Sequence, residues 1–284
     1  MFHSEISVRS SFKPSLISHL LKLIYSLQIA WLFNIRGSDI SYNPVTLSYA
    51  VVTLEGVHLF IDSVKIMNPN VMAHLAAGLV TVHGYGEVEE FLRMEAKDGK
   101  VVIDPAQLNW QLCQAIESSN QSGNSIIRLP SPITIMKAVK NDSELNGIRN
   151  CHVRDGAALT AFLYWLEKTV KDGENKITEY DVAVKIEEYR AKSGMHVGPS
   201  FDTIAGFGAN GAIIHYKPAK ETAAVLGTGA GAMFLLDSGA QYLDGTTDVT
   251  RTLHFGVPTE REKMCYTLVL KVRPITEGQW EISL

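Results

Sequence analysis

The sequence predicts an α/β protein in two parts, and three observations support this. Between Trp31 and Ser119, short β-forming runs alternate with stretches of helical apolar spacing. Regular structure is then interrupted at "LPSPIT", where Pro130 and Pro132 mark a boundary. Beyond it two helical patterns come first and a strand-rich, glycine-punctuated segment follows, so helices and strands are grouped differently in the two parts.

The bulk numbers agree with a folded chain of this kind. At 284 residues, 46% hydrophobic and 20% charged, it can bury one large core or two of ordinary size, and it is neither disordered nor fibrous. A formal net charge of -4 provides no basic footprint for nucleic acid, so no nucleic-acid partner is expected. Cys113, Cys151 and Cys265 stand far apart without paired spacing. That argues against a disulfide framework and a thiolate zinc site, and for a reducing, cytoplasmic location.

Taken in order, the elements begin with "LISHLLKLIYSLQIAWLF", Leu16 to Phe33. A membrane-spanning helix needs roughly 20 mostly apolar residues, and here His19, Lys22 and Gln28 interrupt, with Ser18 and Ser26 between them. No small-residue cleavage site follows, which argues against a signal peptide. The spacing predicts an amphipathic helix with Ile17, Leu20, Leu21, Ile24 and Leu27 on one face, and no membrane partner. "LSYAVVTL" and "HLFID" then read as a hairpin around Glu55 and Gly56. "KVVID" and "SIIRL" read as further strands, separated by helices near Val71 to Leu79 and Ala106 to Ser119. Past the prolines, Asn141, Asp142 and Ser143 offer helix caps with Glu144 behind them, and an apolar stripe runs through Leu159, Phe162, Leu163, Leu166 and Val170. A second helix runs from a Thr178 cap to a stop at Gly194.

Three glycine-rich stretches need weighing. "GFGANG", Gly206 to Gly211, matches the dinucleotide fingerprint formally, but that motif must open a helix, and the strand-like "AIIHY" comes next. "LGTGAGA", Leu226 to Ala232, precedes a strand and has no Gly-Lys-Ser/Thr ending, so it reads as a loop and not a phosphate cradle. "YLDGTTD" is similar to an aspartate-nucleophile phosphatase loop, yet Tyr242 stands where the nucleophile would be.

The chemistry concentrates in "LLDSGAQYLDGTTDVTRT". If its two apolar runs pair antiparallel around a turn near Tyr242 and Leu243, Asp237 and Asp248 fall directly opposite each other on one sheet face. Opposed like charges destabilise a sheet. A bound cation or a shared proton would compensate.

"WLFNIRGSDISYNPV", "KAVKNDSELNGIRNCHVRDGAAL", "GANGAIIHYKP" and "LLDSGAQYLDGTTDVTRTLHFGVPTEREKMCYTLVLK" together resemble the cytosolic Xaa-Pro aminopeptidases, also called aminopeptidase P, from about Ile29 to Lys271. The resemblance implies a creatinase-like α/β domain followed by the first half of a pita-bread catalytic domain. It divides the chain into a divergent segment over 1–28, a creatinase-like second domain over 29–132, a partial pita-bread domain over 133–271 and a divergent tail over 272–284. It also implies a dinuclear, usually manganese, centre, with Asp237 chelating one metal and Asp248 bridging two. His215 would contact the substrate and the developing tetrahedral centre from a strand beside the metals; His254 matches a family position that is not a ligand, and His152 lies on the expected helix, so neither is assigned to the metals. The implied reaction releases the N-terminal residue preceding proline from a peptide, and a homodimer is open for the full-length family. The family also supplies a metal-binding His and two Glu from a second half with an "HGxGH" stretch. Nothing of that kind occurs here, and Glu277 and Glu281 in "VRPITEGQWEISL" match no ligand. A catalytically silent fragment, or a binding or oligomerisation module, is therefore the alternative expectation.

Overall fold

The computed structural model describes residues 20–23, 26–53, 55–97, 101–120, 126–173 and 176–280, which fall into two compact units, Met1–Leu145 and Asn146–Leu284. In the first unit the elements are β1 (Leu20–Leu23), α1 (Ser26–Phe33), β2 (Ser48–Val52), β3 (Val57–Ile61), α2 (Pro69–Ala77), β4 (Val80–Gly84), α3 (Val88–Glu95), β5 (Val101–Ile103), α4 (Trp110–Ser119), β6 (Ile126–Arg128) and α5 (Pro132–Ala138). Six strands form one mixed sheet in the order β4-β3-β2-β1-β5-β6.

The β2–β3 hairpin is present, with Ser48 opposite Ile61 and Val52 opposite Val57. Thr53 closes its turn: its amide donates to the Gly56 carbonyl at 2.8 Å, and its hydroxyl accepts from the amides of Glu55 and Gly56. Both faces of the sheet are covered. Ala50, Leu59 and Ile61 pack with Ile29, Leu75 and Ile133 on one side, whereas Val51 and Phe60 pack with Leu92, Val101 and Ile116 on the other. Two covered faces explain why these strands read as continuous apolar runs without polar alternation.

The single helix expected over Leu16 to Phe33 does not form. Leu20–Leu23 is a strand, antiparallel to β2 and parallel to β5, and α1 starts only at Ser26. Ile17 and Ile24 lie outside the described residues. β2 and β5 each present a row of backbone donors and acceptors that a strand can pair and a helix cannot, and that pairing overrides the local helical spacing. β4 and α3 have no counterpart in the sequence reading; β4 is a half-exposed edge strand, too weakly patterned to announce itself.

The proline-marked stretch belongs to the first unit. The Ser131 amide donates to the Asp104 carboxylate at 2.7 Å, its hydroxyl donates to Gln28 at 3.0 Å, and Gln28 donates to the Thr134 hydroxyl at 2.8 Å. Ile133 is fully buried in the same core. The division between units thus falls within the first turns of α6 (Asp142–Asp172). That helix opens with a reciprocal cap, Asn141 and Glu144 exchanging backbone-to-side-chain bonds of 2.9 Å each.

In the second unit α7 (Glu179–Ala191) starts from a Thr178–Asp181 capping box. It is followed by β7 (His196–Pro199), β8 (Ile204–Phe207), a 3-10 turn over Gly208–Ala212, then β9 (Met233–Ser238), β10 (Ala240–Tyr242), β11 (Gly245–Thr246), β12 (Val249–His254) and α8 (Glu260–Trp280). Two three-stranded sheets result, β11-β10-β7 and β12-β9-β8. The apolar stripe of α6, through Leu159, Phe162 and Leu166, packs with Val182 and Ile186 of α7 and with Phe234 and Leu236 of β9. "AIIHY" is not a strand: Ile213 and Ile214 are 53% and 85% exposed in a turn. "LGTGAGA" forms an irregular connection into β9.

Candidate metal centre

β9 alternates as a half-buried strand must, burying Phe234, Leu236 and Ser238 and leaving Met233, Leu235 and Asp237 on the other face. Its partner β12 places Thr250 opposite Asp237 and Val249 opposite Ser238. The turn between β10 and β11 centres on Leu243 and Asp244, because Tyr242 pairs with Gly245. The expected direct opposition of Asp237 and Asp248 is therefore corrected. A turn displaced by one residue moves the register by two, so Asp248 lies across from Gly239, diagonal to Asp237. A shift of two residues preserves the face, and diagonal neighbours on one face remain within reach of each other.

The two carboxyl groups do meet. Withdrawal from water holds the Asp248 carboxyl above the usual aspartate range; the Asp237 charge beside it and a hydrogen bond between the two groups push it the same way. Asp237 Oδ1 is buried with no hydrogen-bond partner. An orphaned carboxylate oxygen within an acidic pair is what a hard divalent cation accepts as ligand. The pair fits as part of a metal centre, although among the described residues no group of three or more His, Cys, Asp or Glu converges. His254 and His152 are engaged elsewhere: His254 Nδ1 accepts from the Gly256 amide at 3.0 Å, and His152 Nδ1 lies 2.8 Å from the Ile148 carbonyl.

The backbone behind the pair is closely fitted. A Cβ on Gly239 would stand 2.0 Å from the Thr247 carbonyl oxygen and 2.4 Å from Ser200 Oγ, so only glycine lets the chain beside Asp248 cross here. The Thr247 hydroxyl accepts from the Ala240 amide at 3.0 Å, and the Thr247 amide donates to the Ala240 carbonyl at 2.9 Å.

Sequence reasoning missed the support beneath β9. Arg190, wholly buried, donates to Asp155 at 2.8 and 3.3 Å and to the Ser238 hydroxyl at 3.2 Å, next to Asp237 in the chain. Tyr242 donates to the same Asp155 at 2.9 Å. Asp155, Arg190 and Tyr242 lie on three separate elements, and nothing in their spacing announces that they meet. Arg154 also bonds Asp244 in the hairpin turn.

His215 is placed differently from expectation. It sits in the turn after the Gly208–Ala212 helix, exposed, with φ of +56°, and not on a strand. The 3-10 turn ahead of it packs over the face of β9 that carries Asp237: the Cβ direction of Gly211 reaches Leu235 Cβ at 3.6 Å.

Comparison with known proteins agrees with this architecture. Residues 18–144 match a creatinase/prolidase N-terminal domain, and residues 146–275 match metallopeptidase family M24. The chain is 48% identical over 255 residues to a probable Xaa-Pro aminopeptidase P of Podospora anserina, covering 86% of this chain and 36% of that protein. The M24 match assigns residues 146–275 to that metallopeptidase family. Another relative, Xaa-Pro aminopeptidase 1 of Dictyostelium discoideum, is 47% identical over 247 residues, with 86% of this chain and 38% of the relative covered. Among solved structures, an X-prolyl aminopeptidase of Caenorhabditis elegans, described as a cytosolic enzyme with a di-nuclear active site, superposes with a TM-score of 0.78 at 37% identity. That superposition covers 90% of this chain and 42% of that one. An X-Pro aminopeptidase from Thermotoga maritima shares the fold at 20% identity with a TM-score of 0.65, over 93% of this chain and 69% of that one. The chain spans less than half the length of the curated relatives named here.

Proposed function

We propose that the chain is part of a cytoplasmic Xaa-Pro aminopeptidase that releases the N-terminal residue preceding proline, with Asp237 and Asp248 holding divalent manganese and His215 facing the peptide. The observation that carries this reading is the meeting of the two carboxyl groups, with Asp237 Oδ1 buried and unpartnered. Their oxygens would bind the ion, and their mutual repulsion becomes cation affinity. When bound, a divalent metal supplies Lewis acidity toward the scissile carbonyl and acidifies water. The exposed His215 imidazole is free to donate a hydrogen bond to oxygen charge that grows in the transition state, where such a bond accelerates the reaction.

A second reading is favoured by one observation: among the described residues the pair recruits no third ligand. Two carboxylates leave most of a metal's coordination to water, so this chain by itself binds weakly and turns over negligibly. The test is a manganese titration of the purified chain, followed by the resonance of the free ion, with Asp237→Ala and Asp248→Ala alongside. Weak binding lost in both variants is expected; binding indifferent to either substitution overturns the site. An Arg-Pro-Pro peptide assayed in parallel decides the second reading, since manganese-dependent turnover that vanishes in Asp237→Ala would show two carboxylates to be enough.

A further inference from the structure

A carboxylate taken wholly out of water is costly unless hydrogen bonds replace the lost solvation. Glu179, fully buried in the first turn of α7, is such a group. Its Oε1 accepts from the Phe207 amide at 2.6 Å and from the Asn210 side chain at 3.0 Å. Its Oε2 accepts from Asn210 at 3.1 Å, the Tyr216 hydroxyl at 2.7 Å and the Ala224 amide at 2.8 Å. These donors are all neutral, and they come from one stretch of chain, Phe207 to Ala224. Asn210 also donates to the Tyr216 oxygen at 3.1 Å, which closes the group on itself.

The ends of that stretch are tied down besides, Phe207 pairing with Phe234 of β9 and the Ala224 carbonyl accepting from the Glu179 amide at 3.0 Å, whereas the residues just before His215 are exposed. Ile213 and Ile214 face solvent, so apolar burial does not fix it there. The Lys217–Asp202 pair is exposed, a kind of pair that contributes little. The glycines of "GFGANG" instead serve the carboxylate. A Cβ on Gly206 would stand 2.8 Å from the Gly211 backbone, and Gly208 turns with φ of +57°, so the chain folds back on itself and presents Asn210 to Glu179.

On the aminopeptidase reading above, on which it rests, we infer that Glu179 is the positioning residue for His215: its carboxylate gathers the glycine turn, Tyr216 and Ala224, and so fixes the backbone that aims the imidazole. His215 directly precedes Tyr216 in a turn closed by the Tyr216 amide donating to the Ile213 carbonyl at 3.2 Å. A side-chain-bearing residue adopts φ of +56° at some cost, and the anchored neighbour helps to hold it there. The helix start does not need Glu179 for this, since Thr178 and Asp181 already cap α7. Tyr216 offers a built-in reporter: burial, then the hydrogen bond to Glu179 and its charge, push the phenol up to about 12.

The test uses the full chain with Glu179→Gln, which keeps one acceptor oxygen but turns an NH2 toward donors. Amide exchange across Phe207 to Ala224 should quicken roughly tenfold or more, the equilibrium weight of a lost hydrogen bond to a charged group, while β9 and β12 keep their protection. The His215 imidazole resonance, assigned with His215→Gln, should move while that of His254 stays, and the Tyr216 phenol should titrate at lower pH. Unchanged exchange, or an unmoved His215 signal, overturns the inference. If Glu179→Gln does not fold, Tyr216→Phe and Asn210→Ala decide it, each expected to give the same localised effect in smaller degree. A loss of protection across the whole second unit in these milder variants would show a general structural role and also overturn it. None of these readouts uses metal or peptide, so a failed anchor is distinguishable from a failed aminopeptidase reading, which the manganese titration addresses alone.

Discussion

At the scale of single residues, the candidate centre depends on groups packed behind the two carboxylates. Gly239 is one: with the Thr247 oxygen 2.0 Å from where a Cβ would sit, Gly239→Ala must displace the strand crossing beside Asp248. Its expected cost is about 1–3 kcal/mol, the usual penalty for forcing extra volume into a fitted site. Manganese affinity should fall in parallel, read from denaturant midpoints and from the same titration. Arg190 is another. Removing it as Arg190→Met strands Asp155 buried and unpaired, a change that typically costs about 3–5 kcal/mol. Tyr242→Phe, which takes away one bond to Asp155 and leaves the charge pair intact, should cost nearer 1 kcal/mol. Equal losses in the two variants, measured by equilibrium unfolding, would show that the ion pair contributes no more than the phenol. That Asp237 and Asp248 share a sheet face could be read from the sequence because two strand patterns flanked them. Asp155 and Arg190 could not, since residues far apart in sequence meet only through the packing of α6 on α7.

At the scale of elements, the hairpin shows which part of a local reading survives. The turn lies one residue later than its sequence suggests, and direct opposition became diagonal contact, yet the two aspartates kept their common face because register moves in steps of two here. The reading of "AIIHY" failed for the opposite reason: its β-forming composition is local, whereas the grip of Glu179 on Asn210 and Tyr216 is tertiary. The contact of α7 with β7 carries a pH dependence of known sign. Burial raises the Glu187 carboxyl above its ordinary 4.5, against the opposing pull of Arg190 and His196. A carboxyl with a raised folded pKa binds a proton that the unfolded chain has already lost, so its contribution is fullest below 4.5 and declines as pH rises through the folded value. The melting-temperature advantage of the parent over Glu187→Gln should therefore shrink between pH 4.5 and neutrality. A gap that widens over that interval in thermal melts would contradict the burial argument.

At the scale of the whole molecule, the two-part α/β plan was legible because helical and strand periods were grouped so differently on either side of the prolines. Where the first part ends was not legible. Pro130 and Pro132 look like a linker, but Ser131 and Thr134 are tied to Asp104 and Gln28, and α5 closes the first core. The N-terminal strand was hidden for a related reason: four residues of β1 acquire their identity from β2 and β5, not from their own spacing. What the two units do have is a separate core each, one gathered around the six-stranded sheet and one around α6, α7 and β9. Separate cores predict separable unfolding. Phe60 and Phe162 are both fully buried, one in each core, and truncating either to alanine should cost about 3–5 kcal/mol. Calorimetry of the parent should resolve two transitions, with Phe60→Ala lowering one and Phe162→Ala lowering the other. If both variants shift a single shared transition by similar amounts, the cores are one cooperative system, and substitutions in the first unit would then reach the Asp237–Asp248 pair through stability alone.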